Sequence, residues 1–280
     1  MEFPRTQIEG LSVPRLIMGT NWFLGYSHQS RAKDDFIKGH QNAERLADIA
    51  EVFLRAGCDS IYGVRPEAKA LNQAVEEAEQ RTGRRCIRMG TPHFNLAGTP
   101  QAEDEIRRTI DGFAAIGCQV CLPHQATTDA LLDRRARKIR DMDRYAGWIR
   151  ERGMIPGLST HMPETIVYAD ETHLDVGTYI QIYNAAGFLM QVETDWVHRI
   201  IWKAEKPVIT IKPLAAGRLL PLVGLAYNWA TLREQDMVCI GCLTPDEARE
   251  CIDISLAQLA HEGPAVALQA TRSKGSLVRS

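Results

Sequence analysis

The chain has 280 residues, 45% of them hydrophobic and 24% charged, the proportions of a globular protein that can bury a large core without disulfides or metal. A formal net charge of −2 gives no general attraction to nucleic acid or anionic lipid. The basic cluster Arg134, Arg135, Arg137, Lys138 and Arg140, flanked by Asp133 and Asp141, reads as a solvated helix face. No run of about 18 apolar residues is present, and Glu2, Arg5 and Glu9 interrupt any signal-like N-terminus. A cytoplasmic or mature protein is therefore expected, without membrane partners.

Apolar runs alternate with segments of helical period along the chain. Phe3 to Pro14 can form an N-terminal hairpin. The units that follow are Arg15 to Met18 with Ala43 to Arg55, Cys58 to Tyr62 with Glu67 to Arg81, and Arg85 to Met89 with Ala102 to Ile116. Next come Cys118 to Leu122 with Met142 to Arg152, Met154 to Leu158 with Glu164 to Asp170, and Tyr179 to Tyr183 with Glu193 to Lys203. Pro207 to Ile211 with Leu222 to Leu232, and Met237 to Ile240 with Pro245 to Leu259, complete eight β/α pairs. Gly57, Gly83 and Gly153 each fit a left-handed helix cap, and Thr244 precedes a proline at the first helical position. Eight units without a G-x-G-x-x-G after the first strand favour one closed α/β (β/α)8 barrel, a TIM barrel over residues 1–280, with a hairpin at 1–14 and a tail at 262–280.

The seven cysteines have no framework spacing, which suits a reducing compartment. Cys118 and Cys121 form a C-x-x-C, but on a regular strand an i,i+3 pair points to opposite faces and cannot chelate. Burial is the expected role.

Barrel chemistry belongs at the carboxyl ends of the strands. In order, these ends carry Thr20-Asn21-Trp22, Tyr62-Gly63-Val64-Arg65, Thr91-Pro92-His93, Pro123-His124-Gln125, Ser159-Thr160-His161, Asn184, Lys212 and Gly241-Cys242. The segments Leu11 to Thr20, Cys121 to His124, Gly157 to His161, Gln181 to Asn184, Pro213 to Gly217 and Gly241 to Glu247 resemble landmarks of the aldo-keto reductases, in the right order. That resemblance implies a (β/α)8 barrel opened by a hairpin, and hydride transfer between NADPH and a carbonyl by an Asp, Tyr, Lys and His.

Carried over by position, most of that tetrad is replaced. The Asp falls on Tyr62, the Tyr on Glu67, and the Lys on Gly90 or Met89; only His124 survives. The residue stacking on nicotinamide falls on Ile211 and a pyrophosphate-holding serine on Lys212. The basic residue for the 2′-phosphate falls on Leu243 and the adenine-contacting Asn on Cys251. Ser159 and Gln181 match positions that hold the carboxamide, which keeps NAD(P)H as an alternative cofactor.

What the strand ends offer instead is imidazole. His93, His124 and His161 follow three consecutive strands and form a candidate ligand set for a divalent ion (Zn, Mn or Fe), which would polarise a carbonyl or a hydroxyl. Glu67 and Lys212 are candidates for acid-base work with His124 and Tyr62, and Asn21, Trp22, Arg65 and Asn184 for substrate contacts. The long aromatic segment from Asn21 to His40 is a candidate lid, sugar platform or contact in a homo-oligomer. The leading expectation is a metal-dependent lyase, isomerase or epimerase acting on a sugar or polyol carbonyl. A rearranged NAD(P)H-dependent reductase and a non-catalytic binding or assembly protein are the alternatives.

Overall fold

The computed structural model describes residues 2–263; most of the predicted tail therefore lies outside the described residues. The chain opens with an antiparallel hairpin, β1 (Arg5–Ile8) and β2 (Leu11–Pro14). Then come β3 (Leu16–Gly19), α1 (Asn21–Leu24), α2 (Arg31–His40), α3 (Ala43–Arg55), β4 (Ser60–Val64), α4 (Lys69–Thr82), β5 (Ile87–Gly90), α5 (Pro100–Ala115) and β6 (Cys118–Cys121). After them follow α6 (Gln125–Ala130), a small hairpin of β7 (Leu132–Asp133) and β8 (Lys138–Ile139), α7 (Met142–Arg150), β9 (Ile155–Ser159) and α8 (Glu164–Glu171). The rest is β10 (Thr178–Ile182), α9 (Thr194–Lys203), β11 (Val208–Ile211), α10 (Pro221–Thr231), β12 (Met237–Ile240) and α11 (Pro245–Leu259). Eight parallel strands close in the order β10-β11-β12-β3-β4-β5-β6-β9, the (β/α)8 barrel expected.

Alternation along each strand separates two cores. Inward residues Ile17, Met89, Val120, Ile180, Ile209, Met237 and Cys239 fill the lumen, and Ile8 and Val13 of the hairpin pack against them. Outward residues such as Leu16, Ile61, Val64, Tyr179, Val208 and Val238 bury against the helices. Helix boundaries follow local chemistry: Asn42, Thr99 and Thr244 side chains accept the amides of Arg45, Ala102 and Glu247. Gly57, Gly83 and Gly153 take the left-handed conformation at the ends of their helices.

Two expectations are corrected. The basic cluster from Arg134 to Arg140 is the β7–β8 hairpin and not a helix face, because Asp133 Oδ1 accepts the amides of Arg135 and Ala136 and so turns the chain. Arg134 and Arg137 pair with Glu164 and Glu171 on α8. Cys118 and Cys121 do not point to opposite faces. The pairing of β6 with β5 slips between Cys118 and Val120, where Gln119 Oε1 takes the Arg88 amide, and both thiols pack in the helix-facing core. Burial pushes the Cys118 thiol up to about 12 and Cys121 well above its usual range. Both are packing residues.

The base of β11 is held by a buried ion pair. Asp236 is fully buried; it accepts the Val208 amide and the Arg233 side chain, while Arg233 also donates to the carbonyls of Ala204 and Lys206. Asp236→Ala leaves the guanidinium and the amides of Val208 and Arg233 without their acceptor. The expected loss is roughly 3–5 kcal/mol, read from urea unfolding.

Candidate functional site at the carboxyl mouth of the barrel

Tyr62 forms the floor of the mouth. Gly63 follows it with φ +95° beside an irregularity in the β4–β5 pairing, and a Cβ there would lie 2.3 Å from Thr20 Oγ1, so glycine is required. That bend leaves Tyr62 facing the lumen, where its hydroxyl is hydrogen-bonded across the barrel to Ser159 Oγ at 3.0 Å. Burial raises the phenol far above its usual range. Tyr62 is therefore a neutral hydrogen-bonding group.

Imidazoles stand above this floor. The His93 and His124 rings lie 3.8 Å apart between centroids. His124 caps α6, and its Nδ1 accepts the Ala126 amide at 3.2 Å, which places the proton of the neutral ring on Nε2. Burial, then His93, Arg65 and Lys212, lower its pKa to about 4. His161 is held by its backbone, whose amide donates to Asp129 Oδ2, and its ring makes no hydrogen bond among the described residues. Burial, then Lys212, His124 and His28, bring it to about 4 as well. His93 is lowered by burial and Arg65.

Lys212 follows β11 with φ +62°, and Ala215 and Ala216 beside it are also left-handed. Its ammonium has no carboxylate partner and makes no hydrogen bond among the described residues. Burial lowers its pKa to about 8. It lies close enough to His28, His124 and His161 to depress all three.

The remaining predicted residues divide. Arg65 reaches His93 and His124 electrostatically, lies over the Tyr26 ring and contacts Glu67 at 4.0 Å. Glu67 itself is 73% exposed on its side chain, at the rim. Trp22 lies on Gly241, where a Cβ would come within 2.9 Å of the indole, and Asn21 donates to His28 Nε2. Asn184 is fully buried and both ends of its amide are engaged by the Phe188 backbone, so it closes a loop. Gln181 pairs in register with Thr210, whose hydroxyl contacts Asn228 of α10, which puts Gln181 on the helix side of the sheet. Ser159 faces the lumen and is engaged by Tyr62.

The expected aromatic loop is largely helical, as α1 and α2. His28, expected only as a member of that aromatic segment, lies close to Lys212, and Gln29, which the sequence does not single out, donates to the Ala216 carbonyl and ties this segment to the β11 loop over the mouth. Asp129, which binds Thr160 and the His161 amide, also escaped notice. Its only sequence signal is a carboxylate five residues after His124.

No protein-family model matches the chain, and no curated protein matches it. Solved structures do. A putative aldo-keto reductase from Pseudomonas aeruginosa is 13% identical, with a TM-score of 0.66 over 91% of this chain and 95% of that one. The likeness is one of fold. Aldose reductase from Giardia lamblia, 12% identical, gives a TM-score of 0.52 over 99% and 91% of the two chains. A truncated 3-deoxy-D-arabino-heptulosonate 7-phosphate synthase from Thermotoga maritima, 10% identical, gives 0.51 over 92% and 88%. The likeness extends to barrels named for different activities, so it carries the fold and not the chemistry.

The side chains fit neither expected cofactor well as they stand. Among the described residues no three His, Cys, Asp or Glu converge as a metal-binding group. A metal-bound histidine offers one nitrogen to the ion and donates from the other, whereas His124 spends its Nδ1 lone pair on Ala126. For a nicotinamide, Gln181 faces away from the lumen and Ser159 is bonded to Tyr62.

Proposed function

We propose that the chain is an enzyme of the lyase, isomerase or epimerase kind, acting on a small hydroxy-carbonyl compound of sugar type at the carboxyl mouth of the barrel. The observation that carries this reading is the cluster of neutral imidazoles around an unpaired lysine above a phenol floor, all on strand ends. His124 offers its Nε2–H to a carbonyl oxygen as negative charge develops there. His161, with its ring nitrogens free, is placed to move a proton on the substrate carbon or hydroxyl. Arg65 and Lys212 lie by the imidazoles and Arg218 by His28, against Glu67, already beside Arg65, Asp34, already bound to Ser27, and Asp129, already bound to Thr160 and the His161 amide. Such a mouth favours a substrate that carries an anionic group.

The alternative metal reading needs His124 to release Ala126 and rotate. What favours it is the closeness of His93 to His124 and the neutral state of all three imidazoles. The reductase reading rests on His124 and Ser159 alone.

One experiment separates these. Hydroxy-aldehydes and hydroxy-ketones are incubated with the protein in deuterated water and followed by proton NMR, with and without chelator. Deuterium incorporation, rearrangement or cleavage that survives chelator is expected, together with no thermal shift on adding NADPH. Loss of the reaction with chelator would establish the metal reading instead. Oxidation of NADPH without any reaction in its absence would sink the proposal.

A further inference from the structure

We infer that Lys212 is the nucleophile of this site, its amine adding to the carbonyl carbon of an anionic hydroxy-ketone to hold the substrate as an imine. The assignment rests on the carbonyl-enzyme reading above and adds a covalent step to it. Three observations converge. The lysine stands at the end of a barrel strand, where reacting groups of such barrels are found. Its side chain is half-buried yet has no ion-pair or hydrogen-bond partner among the described residues, while the cation Arg233 is fully matched to Asp236 and two carbonyls. The backbone around it is held in the left-handed region at Lys212, Ala215 and Ala216 without glycine, a cost usually met at sites where a side chain must be aimed.

The chemistry balances without any further reactant. The ammonium loses one proton to a free nitrogen of the His161 ring, and the amine lone pair forms the C–N bond as the carbonyl π pair moves to oxygen. That oxygen, hydrogen-bonded by His124 Nε2–H, takes the proton from His161 to give a carbinolamine. The C–O bond then breaks and the hydroxyl leaves as water with a second proton passed from nitrogen. Ammonium and ketone thus become protonated imine and water. If a hydroxyl lies β to the imine carbon, its proton can pass to His161, the adjacent C–C bond breaks, and its electron pair is stored as an enamine.

Reductive trapping tests this. The protein is incubated with hydroxypyruvate and cyanoborohydride, whose hydride adds to the imine carbon and leaves a stable secondary amine, and peptides are mapped by mass spectrometry. The expected result is an adduct on Lys212 that is absent in Lys212→Arg. It should form severalfold more slowly with neutral dihydroxyacetone; equal rates would overturn the anionic part of the assignment. Adducts confined to exposed lysines such as Lys203, with Lys212 unmodified, would overturn the imine. In that event, conversion of hydroxy-carbonyl compounds in the NMR experiment would leave the carbonyl-enzyme reading standing, and absence of conversion would remove both.

Discussion

Lys212→Met is expected to make the protein more stable while abolishing its reaction with hydroxy-ketones. Lysine ordinarily titrates near 10.5, and burial without a counter-charge brings Lys212 to about 8. The folded state therefore binds fewer protons than the unfolded chain between these values, so stability rises with pH across that window. Below pH 8 the protonated amine is a standing cost of roughly 3 kcal/mol. Methionine removes it and keeps a long unbranched side chain in the same space, with the same left-handed backbone at position 212. A gain of roughly 5 °C in Tm at pH 7 follows for a chain of this size. The sign can be checked by the difference between variant and wild type, which should shrink as pH rises from 8 to 10.5. His28, His124, His161 and the Cys239 thiol face the amine, and the imidazoles are already neutral in that range. A variant no more stable than wild type at pH 7 would mean that the amine is solvated, and its role as a poised nucleophile would lose its physical basis.

The fold was legible because its signals are local and repeated. The spans of Ala43–Arg55, Met237–Ile240 and Pro245–Leu259 read from periodicity coincide with the elements found, and the other barrel strands are displaced by at most two residues at either end. Misreadings occurred where tertiary context overrides local pattern. The β7–β8 turn depends on one carboxylate accepting two amides, which a run of arginines conceals. The C-x-x-C faces one way because a bulge sits at Gln119, and a bulge leaves no mark on apolar alternation.

Site residues were legible by position and illegible by direction. Strand ends correctly marked Tyr62, His124, His161 and Lys212 as neighbours of one mouth. That Gln181 points to the helices and that Asn184 is consumed by Phe188 depends on the register of β10 against β11 and on a loop closure, neither of which is encoded in residue type alone. The place of His28 beside Lys212 was hidden for the same reason, although the segment that carries it was marked. His28 lies in a helix-turn-helix that returns over the mouth, bonded to Asn21 seven positions earlier.

The His124 position separates structure from chemistry, because its two nitrogens do different things. Nδ1 caps α6 through the Ala126 amide, and Nε2–H is left to meet the substrate. Asparagine carries an oxygen close to where Nδ1 sits and nothing at Nε2. His124→Asn should therefore keep the cap and lose the donor, giving near wild-type stability and a fall in turnover of about 10²–10³-fold, the usual cost of losing one oxyanion donor. Glutamine reaches the Nε2 position with an amide N–H and abandons the cap. His124→Gln should lose about 1 kcal/mol of stability, as capping residues typically do, and recover roughly tenfold of the turnover that asparagine forfeits. His124→Ala combines both defects. Urea unfolding gives the stability order, and turnover by NMR, supported by the rate of trapped adduct at Lys212, gives the chemical order. If the variants rank the same way in both measurements, His124 acts only by capping α6; opposite ranking of Asn and Gln assigns Nε2–H to the carbonyl.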